Sequence, residues 1–291
     1  MTARTLREIL DTLVEKIVKF LASGDPEHTQ VAGRCLGDIV TKLGEVVLPR
    51  IVPLFHSNLS TGDKNLRLGA VVGLTEIISC ASKEQVDKFI EILVKTIQNA
   101  LCDEDEDVRK MAVSSFESLF VTVGNKAFDE VVPALLAAME TSSNEDNRAV
   151  LGLTGIVSRR SRELLPLLVP RLIHKPMTEN QASALGNICT ETGDSIHYYF
   201  PSIIPTILTE LCGFYNKELS VEEQKREEAI RHCIRVISSS VHEAGARILI
   251  NEIASKCGSD KEQMRKESCW VMQVIVEESK FQLSCVDQIS C

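Results

Sequence analysis

The chain has 291 residues, 44% hydrophobic but only 4% aromatic, with a formal charge of -9. That balance excludes a surface that is cationic throughout, so any phosphate contact would have to use a local basic island. Ten cysteines without a Cys-x-x-Cys pair argue against a disulfide or zinc framework and fit reduced thiols inside a cell.

The N-terminal MTARTLREIL carries Arg4, Arg7 and Glu8 where a signal peptide would be apolar, and no apolar run approaches the ~18 residues of a membrane span. A soluble cytoplasmic protein with no membrane contact is expected. The first helix should run from about Leu6 to Leu21 and stop at Ser23-Gly24-Asp25-Pro26. Its partner, from about His28, carries a stripe that recurs along the chain: a small residue, then apolar ones at +4, +7 and +8, all on one face of a 3.6-residue helix.

The copies are Ala32, Leu36, Ile39, Val40; Ala70, Leu74, Ile77, Ile78; Ala112, Phe116, Leu119, Phe120; and Ala149, Leu153, Ile156, Val157. A weaker copy is Gln181, Leu185, Ile188, Cys189, followed by Ala229, Cys233, Val236, Ile237 and by Ser268, Met272, Ile275, Val276. Their mean spacing of about 39 residues is that of HEAT and armadillo repeats. The expected fold is therefore all-α, a HEAT-repeat α-solenoid of about seven helical hairpins. The pairs fall at approximately 6–44, 46–81, 83–124, 125–162, 163–193, 194–240 and 242–278. A small residue heads the stripe because paired helices approach closely only where side chains are short.

Pro49 and Pro53, Pro133, Pro166 and Pro170, and Pro201 and Pro205 are expected at the starts of first helices, and the i, i+4 pairs predict bending there. The joint of pair three, LCDEDEDVRKMA from Leu101, puts a run of carboxylates just before a second helix, where they suit the positive end of its dipole. Pair six carries extra length at Cys212 to Glu223, read as a loop. The tail KFQLSCVDQISC starts a further first helix without a partner, which suggests a slice of a longer array.

Chemistry is sparse. Six histidines are dispersed without a His-Glu-x-x-His motif, glycine-rich phosphate loops are absent, and Gly69 to Gly73 and Gly152 to Gly155 read as close packing. No catalytic residue, metal site, cofactor or small-molecule substrate is expected. Three surface features remain. Asp103 and Arg109, six apart, have the spacing of a side-chain ladder between HEAT layers, or Arg109 contacts a partner. From Asn147 to Lys175, Arg148, Arg159, Arg160, Arg162, Arg171 and Lys175 face Glu163 alone, a local charge of +5. This island is either a solvated face or a dock for an acidic protein or ribosomal RNA. The stretch VEEQKREEAIR, Val221 to Arg231, reads as an exposed helix supported by i, i+4 charge pairs.

The stretches TARTLREIL, VAGRCLGDIVTKLGEVVLPRIVP, GLTEIISCASKEQV, ALCDEDEDVRKMAVSSFESL, EVVPALLAAME and LLPLLVPRLI, in that order, closely resemble the C-terminal HEAT region of the general control nonderepressible translational activators. The similarity is plain from Thr2 to about Leu211 and fainter beyond. The resemblance implies a ribosome-associated scaffold without catalytic activity. It also implies docking of the RWD domain of the kinase that phosphorylates the initiation factor 2 alpha subunit, with other RWD-domain proteins as further partners, in the amino-acid starvation response. Arg109 lies within the implied binding segment. The alternative is a nuclear transport receptor of the importin kind that holds basic cargo.

Overall fold

The computed structural model describes residues 3–141 and 147–278, and among these residues every regular element is helical. In chain order the helices are α1 (Ala3–Leu21), α2 (Pro26–Asn58), α3 (Lys64–Cys80), α4 (Lys83–Lys88), α5 (Ile90–Leu101), α6 (Glu106–Val123) and α7 (Asn125–Thr141). They continue as α8 (Arg148–Arg159), α9 (Ser161–Leu172), α10 (Glu179–Thr192), a 3-10 segment (Gly193–Tyr199), α11 (Phe200–Phe214), α12 (Val221–Ser240), α13 (Glu243–Cys257) and α14 (Glu262–Glu278).

Second helices start where a short polar side chain can cap them. Asp25, Asp63 and Asp105 accept backbone amides of the first turns of α2, α3 and α6, and Thr178 and Ser220 form capping boxes with Gln181 and Glu223. Gly124 and Gly193, with φ of 67° and 51°, end α6 and α10 in a conformation that a side chain would resist.

The chain divides into two units, Met1–Thr141 with Leu151–Ile156, and Ser142–Val150 with Val157–Cys291. In the first, α3 packs between α2 and α6, while α2 also meets α5 and α5 meets α7. In the second, α12 packs between α10 and α14, with α11 against α13. Polar bonds between layers of the first unit keep the sequence period. His56 and Thr96 (2.9 Å), Thr75 and Ser115 (2.7 Å), Ser79 and Ser118 (3.1 Å), Lys88 and Glu45 (3.0 Å), and Lys126 and Asp87 (2.9 Å) join residues 39 to 43 apart.

The stripes fill the core where they were expected in pairs two to four: Ala70, Leu74, Ile78, Ala112, Leu119, Ala149, Leu153 and Val157 are all buried. In the last pair the register is shifted. Val271, Val274 and Ile275 are buried and Val276 is 52% exposed, so the buried face of α14 is set by Ser268, Val271 and Ile275. Two glycines touch backbone directly: a Cβ at Gly69 would stand 2.6 Å from the Leu21 carbonyl oxygen, and one at Gly152 2.5 Å from that of Leu101. A carbonyl at a helix end cannot retreat without moving the helix, so these positions set how closely a second helix approaches the end of a first helix.

The prolines differ from expectation. Of the seven prolines expected at helix starts only Pro201 opens a helix; Pro49 and Pro53, Pro133, Pro166 and Pro170, and Pro205 lie inside α2, α7, α9 and α11, while Pro26 opens α2. Pro205 is half-buried, but Pro49, Pro53, Pro133, Pro166 and Pro170 are exposed, so the carbonyls they deprive of an amide face water and cost little. The non-helical residue inside α2 is Leu43 (φ -133°, ψ 21°), beside Gly44, and the break between α4 and α5 is at Phe89 (φ -112°). Neither bend needs a proline. The extra length of pair six enters the helices, α11 running to Phe214 and α12 starting at Val221, so the loop is only residues 215–220. The stretch KFQLSCVDQISC lies outside the described residues.

Gly69→Ala is expected to lower stability by about 1–3 kcal/mol through overpacking against the Leu21 carbonyl. Gly62→Ala, where nothing lies within 4 Å, should leave the urea midpoint nearly unchanged. Equal midpoints for the two variants would remove the close approach as a constraint.

Candidate functional site

The joint between α5 and α6 is built from its charges. Asp105 caps α6 by accepting from the amides of Asp107 (2.9 Å) and Val108 (3.4 Å), and Asp103 accepts from the amide of Asp105 (2.8 Å). Lys64, one layer earlier, bridges Asp105 (2.9 Å) and Asp107 (2.7 Å). That ammonium holds the Asp105 carboxyl below its usual range, with the capping amides adding to the effect. Glu106 pairs with Lys110, one turn on.

The ladder expected of Asp103 and Arg109 exists with a different donor. Arg67 Nε and Nη2 donate to the two Asp103 oxygens at 2.9 and 3.2 Å, and Nη2 also donates to Glu104 at 2.9 Å. This fork joins two layers and is buried, with side-chain exposures of 6% for Arg67 and 7% for Asp103. Arg109 instead turns back on its own joint, Nη1 donating to the carbonyls of Asp103 (2.8 Å) and Glu104 (2.9 Å). Arg67 does the same with the Thr61 carbonyl (3.1 Å), and Arg265 with those of Ser259 (2.8 Å) and Asp260 (2.9 Å). An arginine in the first turn of a second helix therefore satisfies the carbonyls of the turn before it in three hairpins.

The basic stretch is divided in space. Arg148 opens α8 and Arg159 closes it, about 16 Å apart at 1.5 Å per residue. Arg159 and Arg162 are exposed, and half-buried Arg160 lies 3.5 Å from Glu163. The cations that lie together are those of the junction between α8 and α9, a patch suited to carboxylates or phosphates. Two open grooves accompany these features. One, of about 410 Å³, lies beside the break at Phe89, between His56, Asp87, Lys88 and Lys95. The other, of about 340 Å³, is lined by Lys175, Glu210, Phe214, Lys217 and Arg226.

Comparison with known proteins decides the family. The family described as "Stalled ribosome sensor GCN1-like, HEAT repeats" matches residues 2–157 and 164–290. The chain belongs to that GCN1 HEAT-repeat family. The match runs through the part beyond Leu211, where resemblance by eye is faint. Human "Stalled ribosome sensor GCN1" is 33% identical over 279 residues, covering 96% of this chain and 10% of the human protein. The "eIF-2-alpha kinase activator GCN1" of Saccharomyces cerevisiae is 34% identical over 266 residues, covering 91% and 10%. The chain thus spans about a tenth of the length of these curated GCN1 relatives. Among solved structures, yeast importin-beta (Kap95p) aligns over 93% of this chain and 36% of its own, at TM-score 0.44 and 12% identity.

Sequence reading of this GCN1-family chain missed one group. Asp194, His197 and His242, dispersed in the sequence, place ligand atoms within 4.8 Å of one another. Two of them stand at the expected starts of pairs six and seven, so aligning hairpin starts by the repeat would have brought them together. No helix among the described residues is long and apolar enough to cross a membrane. Burial pushes the Cys233 thiol up to about 12.

Arg67→Met is expected to cost about 3–5 kcal/mol, because it strands the buried Asp103 carboxylate, and adding Asp103→Asn should recover part of that loss. Urea midpoints of both single variants and of the double check it; losses that simply add in the double would show that the pair is uncoupled. The Asp105 shift gives a pH test. Its folded value lies below the usual 3.8, so its contribution is present above that pH and lost as pH falls through the folded value. The difference in midpoint between the wild type and Lys64→Met should therefore shrink on acidification below about pH 4.

Proposed function

We propose that this segment is a docking scaffold that binds the RWD domain of the initiation factor 2 alpha kinase, and similar RWD proteins. Through the wider protein, it couples them to ribosomes in the cytoplasm during amino-acid starvation. The observation that carries this reading is the 33–34% identity, over more than 90% of the chain, to proteins named as a stalled ribosome sensor and as an eIF-2-alpha kinase activator. The surface supports it: the features that stand out are exposed charged joints and open grooves, which suit a partner protein.

The scaffold acts by affinity and not by catalysis. Holding a kinase regulatory domain near the ribosome raises their effective concentration, so modest contacts suffice and specificity comes from charge complementarity. Arg109 is proposed as a contact because it is half-buried at the edge of a joint, with its Nη1 fixed by turn carbonyls. Arg148 and the group Arg159, Arg160 and Arg162 are proposed as a second, separate set of contacts for acidic side chains.

Arg109→Ala is expected to weaken RWD binding by about 1–3 kcal/mol, the worth of a charge-assisted contact. Arg265→Ala, which loses the same pair of turn bonds in another layer, should leave affinity unchanged. Calorimetric titration with a purified RWD domain distinguishes the two, with helicity as the folding control. Unchanged affinity in Arg109→Ala would confine that residue to its turn. Reversing Arg159 and Arg162 to Glu tests the second set by the same titration.

A further inference from the structure

Asp194 and His197 belong to the 3-10 segment that begins one first helix, and His242 caps α13, the first helix of the next hairpin. Nδ1 of His197 and Nδ1 of His242 each lie 3.7 Å from the same oxygen, Oδ1 of Asp194. Ligands bound at about 2.0–2.2 Å on a tetrahedral ion stand about 3.4 Å from each other. The two His–Asp separations, each 3.7 Å, therefore need shifts of only a few tenths of an ångström to share an ion, and all three ligand atoms lie within 4.8 Å of one another, while 3.7 Å is too long for a hydrogen bond.

The His197 side chain makes this a built arrangement. It is only 4% exposed, and among the described residues its ring makes no hydrogen bond, its polar neighbours being Asp194 and His242. A buried polar ring without a partner is costly unless something else satisfies it. On its other side the ring lies on Gly245, where a Cβ would come within 2.3 Å of Nε2. The glycine is the cradle that lets the ring sit in α13 with Nδ1 turned toward the other two groups. Asp194 and His242 are exposed, so an ion can enter from solvent, and the His242 side chain makes no capping bond to α13 that would have to be broken.

We propose that Asp194, His197 and His242 form a binding site for a divalent transition-metal ion of the zinc type, which staples two successive hairpins of the second unit. Two imidazole nitrogens and one carboxylate oxygen are the donor set of zinc and cobalt, whereas calcium and magnesium take all-oxygen sites. Water completes the coordination. One ligand comes from the far side of a layer boundary, so the ion resists sliding of α13 past the 3-10 segment. This site is independent of RWD docking.

The test uses the whole 291-residue chain and cobalt as a coloured probe. Titration with Co2+ is expected to give visible absorption that saturates at one equivalent, lacks the near-ultraviolet band of a cobalt–thiolate bond, and is removed by Zn2+. His242→Ala and Asp194→Asn, both at exposed positions, should each weaken binding by about tenfold or more, whereas His28→Ala should not. Zn2+ should raise the melting temperature of the wild type and not that of His242→Ala. Absence of the absorption, a thiolate band in its place, or equal binding by the wild type and both variants would overturn the site.

Discussion

A helical hairpin with one apolar stripe cannot bury that stripe by itself, so each layer must be closed by the next one. From this constraint follow the repeat length, the placement of polar bonds and the positions of glycine. The first unit shows the rule in its hydrogen bonds, whose partners lie about one repeat apart in the sequence because each reaches the equivalent place in the neighbouring layer. Apolar residues such as Leu74, Leu119 and Leu153 carry the burial and are wholly covered. Gly69 and Gly152 let a second helix reach the backbone at the end of a first helix. The same physics makes second helices rich in small residues at the head of the stripe.

The acidic joint at the head of α6 shows how charge is handled at a layer edge. Five consecutive carboxylates would repel one another if unpaired, yet each has a defined role. Asp103 and Glu104 take Arg67, Asp105 caps the helix and takes Lys64, Glu106 takes Lys110, and Asp107 takes Lys64. The buried Arg67–Asp103 fork is weak evidence of net stabilisation, since two charges lose their hydration in forming it. Its stronger effect is on register. A hairpin displaced by one turn would bury an arginine or a carboxylate without its partner, whereas apolar contacts alone would tolerate the slip.

The fold was legible in the sequence because the stripe repeats often enough to average out local exceptions. The exceptions have physical causes. Prolines were expected at first-helix starts because an interior proline breaks a backbone bond, but an exposed proline breaks one that water replaces, so Pro49, Pro53, Pro166 and Pro170 sit within helices. The register of α14 slipped because Met272 and Val276 are apolar without being buried, and residue type alone cannot tell an inward valine from an outward one. The joint chemistry was half legible. A spacing of six between Asp103 and Arg109 does indicate a ladder, but only coordinates show that the Asp103 carboxylate takes the arginine of the layer before, while Arg109 binds its own turn. The grouping of Asp194, His197 and His242 shows only when successive hairpin starts are aligned by the repeat, because no local motif joins them.

The turn bonds of Arg109 bear on how it could serve the proposed dock. A long side chain loses roughly 2 kcal/mol of rotamer freedom when it is fixed in one place. In Arg109 the two carbonyls of its own joint already restrict the guanidinium, so a partner meeting it would find much of that ordering done by the fold. Arg159 and Arg162 are exposed and lie at a junction between helices, so each would have to be ordered on contact. On these grounds Arg109 should contribute geometry and selectivity, while the junction arginines contribute longer-range attraction that salt screens. A dock built from both kinds of contact would keep its orientation at high ionic strength but lose association rate, and that separates the two contributions without altering either residue.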